Sequence, residues 1–141
     1  MEFRTLEKII NYDITRKAAL CTQVEWRGSV PRKDYPMMLV DETGEIIGTV
    51  GGGALEHSVI NSALDSIKTG VPVLKKFDLT NQDLTKSGSV CGGNTTILAE
   101  PYIKNTQNIL KSVISEKVKK YNILITKISQ QNDLLIERII I

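Results

Sequence analysis

The sequence predicts a mixed α+β fold: a single domain with a mixed β-sheet flanked by about three helices. Three observations carry this. Apolar residues recur at helical spacing in three separated stretches. Between these stretches lie short runs rich in β-formers, bounded by glycine, proline and polar turn residues. No Pro/Ser-rich linker divides the 141 residues, a length that suits one domain.

Phe3, Leu6, Ile9 and Ile10 place a helix over residues 3–12, and Ala18 to Trp26 reads as a strand. The next segment, Arg27 to Pro36, has two prolines and a glycine, which forbid a helix. Met37–Val40 and Glu45–Val50 form a hairpin around Asp41-Glu42-Thr43-Gly44. A helix follows Gly51-Gly52-Gly53, with Leu55, Val59, Ile60, Ala63, Leu64 and Ile67 inward and Asn61, Ser62, Asp65 and Lys68 outward. Gly70 and Pro72 end it. Val73–Leu79 is a strand, Thr80–Ser89 a polar loop, and Thr95–Glu100 a strand. Asn105 caps a helix to about Lys119, with Ile109, Leu110, Val113, Ile114 and Val118 inward. Strands at Asn122–Ile128 and Leu134–Ile140 follow.

Composition excludes several functions. A net charge of +2 leaves no electrostatic footprint for duplex nucleic acid. The basic cluster Lys117, Lys119 and Lys120 ends a predicted helix, where cations complement the dipole. No run has the apolar length of a membrane span, and Met1–Leu6 has no signal-peptide core, so the expected compartment is the cytoplasm. Cys21 and Cys91 are too few for a disulfide framework, and without a Cys/His cluster no structural zinc site is expected.

Three segments carry candidate chemistry. Gly51, Gly52 and Gly53 pass from a strand directly into a helix. Glycine is entropically costly there, so close approach of a ligand or a tight packed turn must require it. An anion such as a phosphate suits the free N–H groups of the first helical turn. Glu56 either complements the helix dipole or joins the site. The dinucleotide and P-loop glycine patterns are absent. The second segment is Gly28-Ser29-Val30-Pro31-Arg32, where Ser29 and the Arg32 guanidinium fork suit a phosphate or polar heterocycle, or form a solvated loop. The third is Cys91-Gly92-Gly93, an open cysteine beside turn N–H groups that favour a thiolate and contact with a soft metal. Cys21, mid-strand, reads as a small buried hydrophobe. His57, the only histidine, is a conceivable acid/base without a nameable partner.

In this order, Gly28–Arg32, Met38-Leu39-Val40, Gly48–Glu56 and Val90–Gly93 resemble the XdhC/CoxI family. Pro72–Leu79 and Glu100-Pro101 also sit where that family has similar segments, so the resemblance spans about residues 3–141. It implies one XdhC/CoxI-like domain over 1–141, without the C-terminal Rossmann domain of longer relatives. The implied function is that of a non-enzymatic accessory factor. It binds the molybdenum cofactor transiently, protects it and delivers it to a xanthine dehydrogenase-like molybdenum hydroxylase. The implied partners are the apo-hydroxylase and a cysteine desulfurase, with a homodimer possible and neither nucleic acid nor membrane involved. Carried onto this chain, the cofactor-binding set is Ser29, Arg32, Gly51, Gly52, Gly53, Glu56, Cys91, Gly92 and Gly93, with Cys91 near molybdenum or its terminal sulfur. Ala54 is a departure, because many relatives have a cysteine there. Two other readings stay open: a small enzyme acting on a pterin or nucleotide-like substrate through Cys91 or His57, and an assembly subunit that no longer binds cofactor.

Overall fold

The computed structural model describes residues 2–80, 92–115 and 124–140. The chain divides into two compact units, Met1–Tyr102 and Ile103–Ile141. The first holds α1 (Phe3–Ile10), β1 (Ala18–Arg27), β2 (Met37–Asp41), β3 (Ile46–Gly48), α2 (Gly53–Thr69), β4 (Val73–Asp78) and β5 (Asn94–Pro101). The second holds α3 (Lys104–Ser115) and a hairpin of β6 (Leu124–Gln130) and β7 (Leu134–Ile140). This is the α+β class the sequence predicts.

The sheet is antiparallel in every pair, not mixed as expected, with order β3-β2-β1-β5-β4. The reason lies in where the helix crossover lands. A strand–helix–strand unit yields a parallel pair only when its two strands become neighbours. Here α2 carries the chain from β3, at one edge, to β4 at the other, so both edge strands meet antiparallel partners. The last two strands pair with each other as a separate two-stranded sheet, Leu124 opposite Ile140 through Gln130 opposite Leu134.

Ala19, Cys21, Met38, Val40, Ile97 and Ala99 share one sheet face and pack with Leu55, Val59 and Ala63 of α2. Their strand neighbours Leu20, Leu39 and Leu98 point the other way and are also fully buried. Burial on both faces explains why β2 reads as an unbroken apolar run. On α1, Leu6, Ile9 and Ile10 are buried while Phe3 is exposed.

Two helix expectations are corrected. Ser62 is buried rather than outward: its hydroxyl bonds back to the Ser58 carbonyl at 3.4 Å, and so small a residue fits the packed face. Asn105 lies inside α3, which begins at Lys104, and does not cap it. Gly70 takes the expected left-handed C-cap conformation at φ 71°. The predicted loop beyond Thr80, the helix end near Lys119 with its basic cluster, Val118, and the first residues of the 122–128 strand lie outside the described residues.

Candidate functional site

Antiparallel pairing sets the geometry. Arg27 at the end of β1 faces Asn94 at the start of β5, so the chain leaving β1 runs beside the chain entering β5. Contact there is backbone on backbone. A Cβ on Gly28 would lie 3.1 Å from the Gly93 Cα and 3.3 Å from the Gly92 oxygen. A Cβ on Gly93 would collide with the Arg27 oxygen and come within 2.5 Å of the Ser29 oxygen. On its other side the same loop reaches the glycine turn, where a Cβ on Gly51 would be 3.1 Å from the Pro31 Cβ. The Gly28–Arg32 loop thus bridges the two other segments, and the three motifs meet despite their separation in sequence.

Gly51, Gly52 and Gly53 all have positive φ, at 142°, 77° and 59°. Such a succession is accessible to glycine and strained for other residues. The turn is not bare. The Gly51 N–H donates to Thr49 Oγ1 at 3.2 Å and the Gly52 N–H to Glu56 Oε2 at 3.1 Å. Thr49 Oγ1 donates in turn to the same Glu56 oxygen. Glu56 therefore holds the turn from within its own helix, a favourable place for a carboxylate. Space is left where a side chain would be: among the described residues, Cβ atoms built on Gly52 and Gly92 meet nothing within 4 Å.

Arg32 directs its fork at Asp34. Nε donates to Oδ1 at 2.8 Å and a terminal nitrogen to Oδ2. The guanidinium holds the Asp34 carboxyl far below the usual carboxylate range, and Asp34 raises Arg32 in return. Arg32 also lines a small open cavity of about 40 Å³ with Glu2, Thr5, Gly48 and Thr49. Ser29 is exposed beside Gly93.

The loop is anchored by a residue that motif reading passed over. Gln23, 2% exposed, donates from Nε2 to the Arg32 carbonyl at 2.9 Å and to Thr95 Oγ1 at 3.0 Å. Its backbone N–H donates to the Pro36 carbonyl at 3.1 Å. Thr95 Oγ1 donates to the Glu25 carbonyl. Gln23 Oε1 is buried with no hydrogen-bond donor among the described residues. The sequence did carry a signal, since Gln23 shares a strand face with Ala19 and Cys21, and an amide there needs partners. Thr49 and Asp34 were likewise missed; the Arg-x-Asp spacing was the available cue.

Other candidates lie elsewhere. Cys21 is fully buried, and burial pushes its thiol up to about 12, as a small buried hydrophobe requires. His57 is exposed on α2 and takes part in none of these hydrogen bonds. Cys91 lies outside the described residues. Among the described residues no group of His, Cys, Asp and Glu is arranged to hold a metal ion, and no helix is long and apolar enough to cross a membrane.

Residues 14–78 match the model of the XdhC and CoxI family. An uncharacterised protein of Escherichia coli K12, YqeB, is 35% identical over 79 residues, which are 56% of this chain and 14% of YqeB. A crystal structure of a protein described as a xanthine dehydrogenase from Bacillus halodurans superposes with a TM-score of 0.81 at 26% identity, over 98% of this chain and 41% of that one. The chain thus spans less than half the length of either relative.

Proposed function

We infer the function from one premise: over residues 14–78 the chain matches the model of the XdhC and CoxI family. We propose that it is an accessory protein in the maturation of a xanthine dehydrogenase-like molybdenum hydroxylase. In this reading it binds the molybdenum cofactor, shields it and hands it to the apo-hydroxylase, with a cysteine desulfurase as second partner. The likeness to the Bacillus halodurans protein described as a xanthine dehydrogenase supports the choice of target.

The observation that carries the reading is the meeting of the three glycine-bearing segments. A ligand with a phosphate and a flat polar ring system needs backbone donors and side-chain-free space together. Gly52 and Gly92 supply the open space, which the Cβ of any other residue would intrude on. The first-turn N–H groups of Gly53 and Ala54 supply donors for an anion, beside the Gly52 N–H that Glu56 already holds. Ser29 and Arg32 face the polar groups of the ligand, and Gly51, Gly53 and Gly93 let the backbones close up beneath it. The cofactor brings its own molybdenum and sulfur chemistry; Cys91 is the proposed contact to that end, because Ala54 has no thiol to offer.

The test is retention. Purified chain is incubated with molybdenum cofactor and passed through gel filtration, and molybdenum and pterin are measured in the protein peak. The expected result is co-elution with the unaltered chain and loss with Gly92→Val. Gly92 has no positive φ, and a Cβ there meets no described atom within 4 Å, so valine enters the open space without a Cβ clash among the described residues. Failure of the unaltered, folded chain to retain cofactor would refute the reading and favour an assembly subunit without cofactor binding.

A further inference from the structure

Trp26 and Tyr35 border the glycine segments without belonging to any of them. Strict alternation along β1 would give the face of Cys21 and Gln23 to Glu25 next. A register shift between Gln23 and Glu25 inserts one residue, and Trp26 takes that place, opposite Thr95. Its indole therefore packs against the cluster that holds Val30, Val50 and Leu55, on the sheet face that carries α2 and its glycine turn. Two residues further, Gly28 lies against Gly92 and Gly93. Tyr35 meets the indole edge-on, with ring centroids 4.7 Å apart and planes at 62°.

Tyr35 is held there against its backbone preference. Its φ is 51°, the one positive value at a described non-glycine residue, and the following Pro36 narrows its choices further. Burial does little to offset that strain, since Tyr35 remains 54% exposed. Glycine would adopt the same backbone without strain. Strain kept at a half-exposed aromatic residue points to a contact that the folded chain alone does not supply.

We propose that Tyr35, braced by Trp26, is a stacking platform for a flat heteroaromatic ring. The proposal rests on the reading of the glycine segments as a cofactor site, and it names the residues that take the ligand's ring. The edge-on contact fixes the Tyr35 ring without covering it. The indole is itself anchored on the core cluster, so the tyrosine has a firm backing. A flat ring laid on Tyr35 gains offset stacking, and stacking asks for a π-face rather than a hydrogen-bond pattern. A pterin and a nucleobase both present that face. The platform adjoins the Gly28–Gly93 contact, so a ligand reaching it can also reach the open space at Gly92.

Proton NMR reads stacking directly, because a proton lying over an aromatic face moves upfield. The chain is titrated into 6-hydroxymethylpterin and, separately, into cytidine monophosphate. The unaltered chain should shift the pterin C7 proton, the nucleobase protons, or both, in a saturable way. Tyr35→Phe should keep the shift. Tyr35→Leu, which keeps bulk but no ring, and Tyr35→Gly should each weaken binding about tenfold, the scale of one aromatic pair. Tyr35→Gly removes strain and ring contact together, so its melting temperature should stay close to that of the unaltered chain. The probe that shifts tells whether the ring is the pterin or the nucleobase. No shift with either probe, a shift that survives Tyr35→Leu and Tyr35→Gly, or one that Tyr35→Phe also loses overturns the platform. Gel-filtration retention of molybdenum cofactor, measured in parallel, separates the two readings. Retention undiminished by Tyr35→Gly refutes the platform and leaves the accessory reading standing. A Tyr35-dependent shift in a chain that retains no cofactor does the reverse.

Discussion

Two aspartate–arginine pairs flank β2, and they are built for opposite purposes. At its C-terminal end Asp41 is buried, its side chain 6% exposed, while Arg16 is half exposed. Asp41 Oδ1 accepts from the Thr43 N–H at 2.8 Å, the Thr43 hydroxyl at 2.6 Å and the Glu45 N–H at 3.1 Å; Oδ2 accepts from Arg16 at 2.8 Å. Before its N-terminal end the exposures reverse: Asp34 is 45% exposed and Arg32 29%. The first carboxylate is locked into a turn by donors from three residues, and the second stands at the surface. A pair's role follows from which partner is buried and how many groups share it, more than from the distance between the charges.

The largest effect expected from this contrast is on stability. Asp41→Ala should cost about 2–3 kcal/mol in urea unfolding, since it strands several donors to a charged acceptor. Asp34→Ala should cost within about half a kcal/mol, as exposed pairs do. Equal losses would erase the distinction.

The locked turn should also show in acid. Burial alone would raise the Asp41 carboxyl, but the bonds from Thr43, Glu45 and Arg16 outweigh it and leave it below its ordinary value of 3.8. A group lowered in the folded state stabilises above its unfolded value and loses that contribution as pH falls through the folded one. Melting temperature should therefore drop as pH is lowered below about 4. Asp41→Asn should flatten that limb, and a limb of unchanged steepness would count against the locked turn.

The arginines should separate by function. Arg32→Ala should leave stability within about half a kcal/mol yet weaken cofactor retention by about 1.5–3 kcal/mol. Arg16→Ala should lower stability and leave retention alone. Gel-filtration retention beside urea midpoints for both variants decides this.

The smallest effect is a near-absence of reaction. Cys21, fully buried and with its thiol pushed up to about 12, should resist iodoacetamide at neutral pH until the chain is unfolded. Labelling of Cys21 in the folded chain, read by peptide mass spectrometry, would mean the sheet opens at its centre.

Much of this was legible in the sequence, and the limits have physical causes. Element positions followed from apolar spacing and from Gly70, whose left-handed cap needs glycine. Which strands pair did not follow, because a fully buried strand such as Met37–Asp41 has no alternating face to declare its neighbours. At the site, the glycine segments announced themselves because close backbone contact has few other solutions. What joins them did not: Gln23 and Thr95 are 72 positions apart and are recognisable as partners only once β1 lies against β5. Nor did the sequence reveal that Arg32 and the Gly52 N–H are already held by Asp34 and Glu56, since local carboxylates take such groups only when the backbone presents them.

The most direct test of the account is an amide chemical-shift map of the chain as molybdenum cofactor is added. The account predicts that perturbations gather on Ser29, Arg32, Gly52, Gly53, Gly92 and Gly93, while Arg16, Asp41 and Thr43 stay still. Perturbations centred on the Arg16–Asp41 corner, or spread evenly over the chain, would contradict it.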